Sequence, residues 1–201
     1  MSDRQWHGVN FAMPVKTNLN LFISAIFALV LFMSSAASAQ EPIKPTPAKP
    51  AAFDVIGISV RTNNSAEATG NGEIPKLWQR LFMQGILGAI PGRADDGIVA
   101  VYTDYASDAD GDYTYILGAK VKTGTKPPNE MIAVTIPAGK YMQFVTAKGP
   151  GAEVVPPAWQ QIYSYFQDPA HPRRAFQSDY EVYADISDPK TLQAHIFVGV
   201  K

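Results

Sequence analysis

Apolar residues along this chain fall into two periods. Phe53 to Thr62 (FDVIGISVRT) is rich in β-branched residues and reads as a strand. Between Ile74 and Ile90, Leu77, Trp78, Leu81, Phe82, Ile86 and Leu87 recur at three- and four-residue spacing, the stripe of an amphipathic helix. Pro75 stands where a first-turn proline belongs. Two strand patterns follow, GIVAVYTDYA and DYTYILGAKVKT, joined by a turn at Asp110-Gly111. The same order then returns: GKYMQFVTAKG as a strand, Pro157 to Gln167 as a helix, DYEVYAD as a strand, a turn at Asp188-Pro189, and AHIFVGVK as a strand. Met131 to Pro137 reads as one more strand, expected to form a hairpin with Lys140 to Ala147.

The two series superpose when the chain is slid along itself. Trp78, Tyr102 and Gly118 recur 81 positions later as Trp159, Tyr183 and Gly199, and VYTD (Val101 to Asp104) falls on VYAD (Val182 to Asp185). A repeat of this size is one supersecondary unit given twice. The fold class expected is therefore α+β: duplicated β-α-β-β units, about 53–123 and 139–201, forming one antiparallel sheet. Pairing the open edges of the two units into that sheet gives two main helices and a central cleft on a pseudo-two-fold axis.

Ahead of the repeats the pattern changes. Leu19 to Met33 is an apolar run preceded by Lys16 and followed by SSAASAQ, in which Ala37 and Ala39 form an A-x-A site before Gln40. Residues 1–39 are expected to be a signal peptide, with Met1 or Met13 as its start and an uncleaved anchor as the alternative. The expected location is periplasmic or secreted, with no stable membrane insertion after cleavage. Residues 40–52, with four prolines and no apolar period, read as an extended tether. The folded domain is expected over 53–201.

Composition removes several chemistries. There is no cysteine, so disulfides, thiolate metal sites and thiol nucleophiles are excluded. The histidines His7, His171 and His195 are scattered, and no metal site or cofactor is expected. A net charge of −1 gives no reason to expect nucleic acid as a partner. DADGD (Asp108 to Asp112) begins like a calcium loop, but its glycine comes two residues early and Ala119 replaces the closing glutamate, so it reads as a hairpin turn. GNGE (Gly70 to Glu73) reads as a loop overhanging the cleft.

The unusual residue is Glu181. On an extended strand it shares a face with Tyr183, opposite Tyr180 and Val182, and the equivalent position of the first repeat is Ala100. The repeat symmetry is thus broken at a charge. Glu181 is either an edge-strand charge that discourages aggregation or a buried carboxylate with a role beyond packing. Trp78 and Trp159 are in register with apolar neighbours on their helices, which accords with helix-on-sheet packing while leaving indole edges to line a cleft. Tyr102, Tyr183, Tyr141 and Phe144 read equally as pocket wall and as core.

The helix-borne W-Q, the VYTDY…GDYTYILG hairpin, the IPAGKY strand and the E-V-Y strand together resemble the GyrI-like small-molecule-binding family. That family includes effector-binding domains of AraC- and MerR-type activators and integron-associated effector-binding proteins, and the likeness covers residues 53–201. What the resemblance implies is that Glu181 lies in an aromatic-lined pocket where the repeats join and meets the positive charge of an amphipathic small molecule. Ala106 stands where the integron-associated branch tends to carry an acid, so a second carboxylate is not implied. Some related members are thought to hydrolyse cyclopropane-containing toxins.

The reading reached is an exported, non-catalytic binding protein for sequestration or sensing. Its candidate ligand-binding residues are Glu181, Tyr183, Tyr102, Tyr141, Phe144, Trp78 and Trp159. One alternative is a hydrolase in which Glu181 activates water. The other is a structural or interaction module whose cleft is filled.

Overall fold

Each β-branched run becomes a strand and each apolar stripe a helix. The computed structural model describes residues 42–69 and 72–201; the expected signal peptide, and Gly70 and Asn71 of the GNGE loop, lie outside them. The strands are β1 (Thr46–Ala48), β2 (Phe53–Thr62), β3 (Ile98–Thr103), β4 (Tyr113–Val121), β5 (Ile132–Ile136), β6 (Tyr141–Val145), β7 (Ser178–Tyr183) and β8 (His195–Gly199). The helices are α1 (Asn64–Glu67), α2 (Glu73–Met83), α3 (Ile86–Ala89) and α4 (Gly151–Gln167). All eight strands form one antiparallel sheet in the order β1-β6-β8-β7-β3-β4-β2-β5.

Outward from the centre the order is β3, β4, β2 on one side and β7, β8, β6 on the other, which is the duplication laid out in space. The ladder between β3 and β7 pairs Ala100 with Glu181, and these two are also equivalent in the repeat. The pseudo-two-fold axis therefore passes through that pair.

Four expectations are corrected. The strand β5 pairs with β2, matching Phe53 to Ile136, and forms no hairpin with β6. The ten-residue β2 leaves an edge that β5 covers. The stretch expected as a tether supplies an edge strand, β1, which pairs Thr46 to Gln143 on β6, while the Ile43 amide donates to Gln161 Oε1 at 2.8 Å. Pro47, in the middle of β1, lacks an N–H, which suits an edge. The helical stripe from Ile74 to Ile90 is broken at Gly85, whose φ of 60° lies in the left-handed region, so α2 and the short α3 are separate. The second helix extends back to Gly151, with Pro156 and Pro157 inside it.

The link from β5 to β6 dictates the shape of the sheet. Six strand steps separate these strands, about 29 Å in a flat sheet at about 4.8 Å per step. Ile136 and Tyr141 are joined through only Pro137, Ala138, Gly139 and Lys140, a reach of about 18 Å at full extension. The sheet must therefore curl until its edges approach. Its concave face buries Val55, Val99, Val101, Ile116, Ile136, Tyr141 and Tyr180 against one another, with Phe53 and Phe197 beside them. The convex face carries the helices, and Leu77, Leu81, Ala158, Trp159 and Ile162 pack there on Ile58, Leu117, Ile196 and Val198. Glu67 of α1 holds the start of α2, its carboxylate accepting from the Glu73 and Ile74 amides at 3.0 and 3.1 Å.

The closest backbone approach is at Gly57 and Gly118, paired between β2 and β4. A Cβ on Gly118 would lie 2.0 Å from the Ile56 carbonyl oxygen and 2.5 Å from Gly57 Cα, neither of which can move aside. Gly118→Ala is expected to lower stability by about 2–3 kcal/mol, the upper end for overpacking. Gly88→Ala on α3, where an added methyl meets nothing within 4 Å, is expected to be neutral or slightly stabilising. Urea denaturation midpoints of the two variants compare these outcomes directly.

Candidate functional site

The period of two along β7 puts Asp179, Glu181 and Tyr183 on the convex face, under the helices. Glu181 is 1% exposed. Its Oε1 accepts from the Tyr102 hydroxyl at 2.8 Å and from Trp159 Nε1 at 2.6 Å, and its Oε2 accepts from the Tyr183 hydroxyl at 2.6 Å. Tyr102 comes from the first repeat, Trp159 and Tyr183 from the second, so the carboxylate is held by both halves.

The repeat symmetry fails at one donor. Trp78 is the counterpart of Trp159, yet its Nε1 donates to the Tyr115 hydroxyl at 2.9 Å and leaves Oε2 with a single donor. A carboxylate can accept about four hydrogen bonds; Glu181 receives three from side chains. Among the described residues no lysine, arginine or histidine nitrogen lies within 4.0 Å of it.

The rings close around this charge. Tyr102 meets Tyr115 and Trp159 edge-on, each at 5.0 Å between centroids, and Trp78 meets Tyr183 edge-on at 5.2 Å. Burial raises the Glu181 pKa from its usual 4.5, with the three hydrogen bonds opposing that shift only in part. The Tyr102, Tyr115 and Tyr183 hydroxyls are pushed well above 10.0 by burial and by the nearby carboxylate, so they remain protonated donors.

Of the seven candidate residues, Glu181, Tyr183, Tyr102, Trp78 and Trp159 converge. Tyr141 and Phe144 do not join them. They lie three apart on one strand and so face opposite sides of the sheet. Tyr141 packs on Tyr180 in the concave core and donates to the Pro137 carbonyl at 3.1 Å. Phe144 is on the convex side but packs edge-on against Tyr165 and Phe166 of α4. The rings of Trp78, Trp159, Tyr102 and Tyr183 meet around Glu181 on the axis. A concavity of about 450 Å³ lies on the concave face, lined in part by Phe53, Val99, Lys120, Tyr180 and Phe197.

A second buried carboxylate, Asp179, was not legible as a site. Its Oδ2 accepts from Arg174 Nη2 and from the Tyr105 hydroxyl at 2.8 Å, and its Oδ1 from the Gly199 amide at 2.8 Å. The signal available in the sequence was the spacing Asp179-x-Glu181-x-Tyr183, which places all three on one face. Asp179 has its own counter-ion, and Glu181 has none among the described residues. Among the described residues no three His, Cys, Asp or Glu side chains are grouped to hold a metal ion. No helix among them is long and apolar enough to cross a membrane.

The single antiparallel sheet with its few helices is shared with solved structures. An integron cassette protein of Vibrio cholerae superposes with a TM-score of 0.62 at 24% identity, over 79% of this chain and 97% of that one. The protein SAV2435, solved bound to tetraphenylphosphonium, superposes with a TM-score of 0.64 at 20% identity, over 79% and 94% of the two chains. Residues 49–200 match the Cass2 family of integron-associated effector binding proteins, and the chain belongs to that family. YobU of Bacillus subtilis (strain 168), whose name describes a candidate transcriptional regulator, is 31% identical over 147 residues, 72% of this chain and 90% of its own.

The raised pKa gives a stability signature. Above the usual 4.5 the unfolded carboxyl is ionised while the folded one still holds its proton, so its contribution is complete at lower pH and is lost as pH rises through the raised value. Chemical denaturation of wild type and Glu181→Gln from about pH 4 to 8 is expected to show wild type losing stability relative to the variant as pH climbs. Parallel curves would mean the carboxyl is not perturbed by its burial.

Proposed function

We propose that this protein binds a lipophilic organic cation, with Glu181 as the counter-charge and Trp78, Trp159, Tyr102 and Tyr183 as its walls. The observation that carries this reading is a carboxylate 1% exposed, held by three aromatic donors and lacking a cationic partner among the described residues. Isolating such a charge from water costs several kcal/mol, which a bound cation relieves. Each ring face adds about 0.5–2 kcal/mol of cation–π attraction. The tetraphenylphosphonium-bound relative, of the same fold, supports a ligand of this class.

Glu181 is buried beneath the rings, so a ligand that contacts it requires them to part. The helix α2 is the element suited to move. It ends at Gln84 beside the left-handed Gly85, carries Trp78, and leaves Phe82 and Met83 56% and 77% exposed. Its Trp78 packs edge-on against Tyr183, the donor to Oε2. We further propose that the protein acts after export, in sequestering or sensing such compounds. The apolar run Leu19 to Met33 with its A-x-A site is the support for that step.

Tetraphenylphosphonium is expected to raise the melting temperature of the full chain in a concentration-dependent way. Glu181→Gln is expected to weaken its dissociation constant by about tenfold or more, the scale of one charge-assisted contact. Equal response from wild type and variant would remove the counter-charge role. No response from either would identify the filled cleft as a structural feature.

A further inference from the structure

Beyond the central site, the C-terminal part of α4 and the segment leading into β7 enclose a cavity of about 370 Å³. This is within the usual range of small-molecule sites, about 300–1,000 Å³. Its walls combine three rings, Tyr163, Phe166 and Phe176, with three cationic side chains, Arg173, Arg174 and Lys201, and no aspartate or glutamate side chain lines it.

The cationic group at its floor is built in. Arg174 is 7% exposed, and the Phe176 ring centroid lies 4.4 Å from its Cζ. Nη2 is paired with Asp179, but Nε is buried with no hydrogen-bond partner among the described residues. A buried guanidinium N–H without an acceptor is uncommon. The wall beside it is held in an unfavourable backbone state, because Phe176 has a φ of 52°, in the left-handed region that bulky residues avoid. Asp179 neutralises Arg174, while the Arg173 and Lys201 side chains are exposed and carry no counter-ion among the described residues.

We propose that this cavity is a second ligand site that takes an aromatic anion. Its ring lies among Tyr163, Phe166 and Phe176, and its carboxylate or sulfonate is met by Arg173 and Lys201. The proposal is independent of the cation reading, because it uses other residues and the opposite charge. The two sites nevertheless share a wall. Trp159, which donates to Glu181, has its ring 5.7 Å from that of Tyr163 and 5.9 Å from Arg174 Cζ.

Isothermal titration of the full chain with 1-naphthoate, and with 1-naphthamide as its neutral counterpart, tests this. Naphthoate is expected to bind about tenfold tighter than the amide, the scale of one charge-assisted hydrogen bond. The double variant Arg173→Gln, Lys201→Gln alters only exposed side chains and is expected to lose about tenfold of the naphthoate affinity by the same argument. Absence of naphthoate binding, equal affinity for acid and amide, or an unaffected double variant would each overturn the assignment.

Discussion

The ladder between β3 and β7 is the constraint on which the molecule depends. It joins two copies of a β-α-β-β unit into one sheet, and its register brings the equivalent residues Ala100 and Glu181 face to face. The hydrogen bonds that hold the glutamate then come from both halves, Tyr102 on one side and Tyr183 and Trp159 on the other. Hydrogen bonds to a charged group are worth about 1.5–3 kcal/mol each, comparable in sum with the several kcal/mol lost in leaving water. The pKa nevertheless rises, so desolvation wins by a margin. The site exists in a joined chain and in neither half alone.

The second organising feature is the short link across the curled sheet. Because four residues join β5 to β6, the concave face closes on itself through Tyr141, Tyr180, Ile136 and Phe197 and needs no helix to cover it. All the helical cover is then available for the convex face, where α2 and α4 bring Trp78 and Trp159 toward the axis. The two strands outside the repeats, β1 and β5, finish the two edges. Each half of the sheet is thus completed by a segment that the duplication did not supply.

The elements legible in the sequence are those governed by local pattern. The period of two gave β3, β4, β7 and β8, and the face shared by Glu181 and Tyr183. The repeat spacing made the central order of the sheet deducible. Non-local choices were hidden: β5 chose β2 over β6 because of which edge was open, and β1 formed in a proline-rich stretch because β6 offered a partner. Tyr141 was misplaced although its spacing from Phe144 already set them on opposite faces. Arg174 and Asp179 were not legible because Arg174 stands on an isolated bridge to Val200 and Asp179 on β7, and only the fold brings them into one buried pair.

A residue on a two-fold axis meets its own copy. Were this sheet formed by two separate identical chains, a glutamate at the central position would stand opposite another glutamate, with Cα atoms about 4.5–5.5 Å apart as in any antiparallel pair. Two acids at that distance could not both ionise in a dry interior. Only tandem fusion frees one copy to become Ala100 while the other remains Glu181. A solitary charge at the centre of near-perfect symmetry is thus an architecture open to a fused gene and closed to a homodimer.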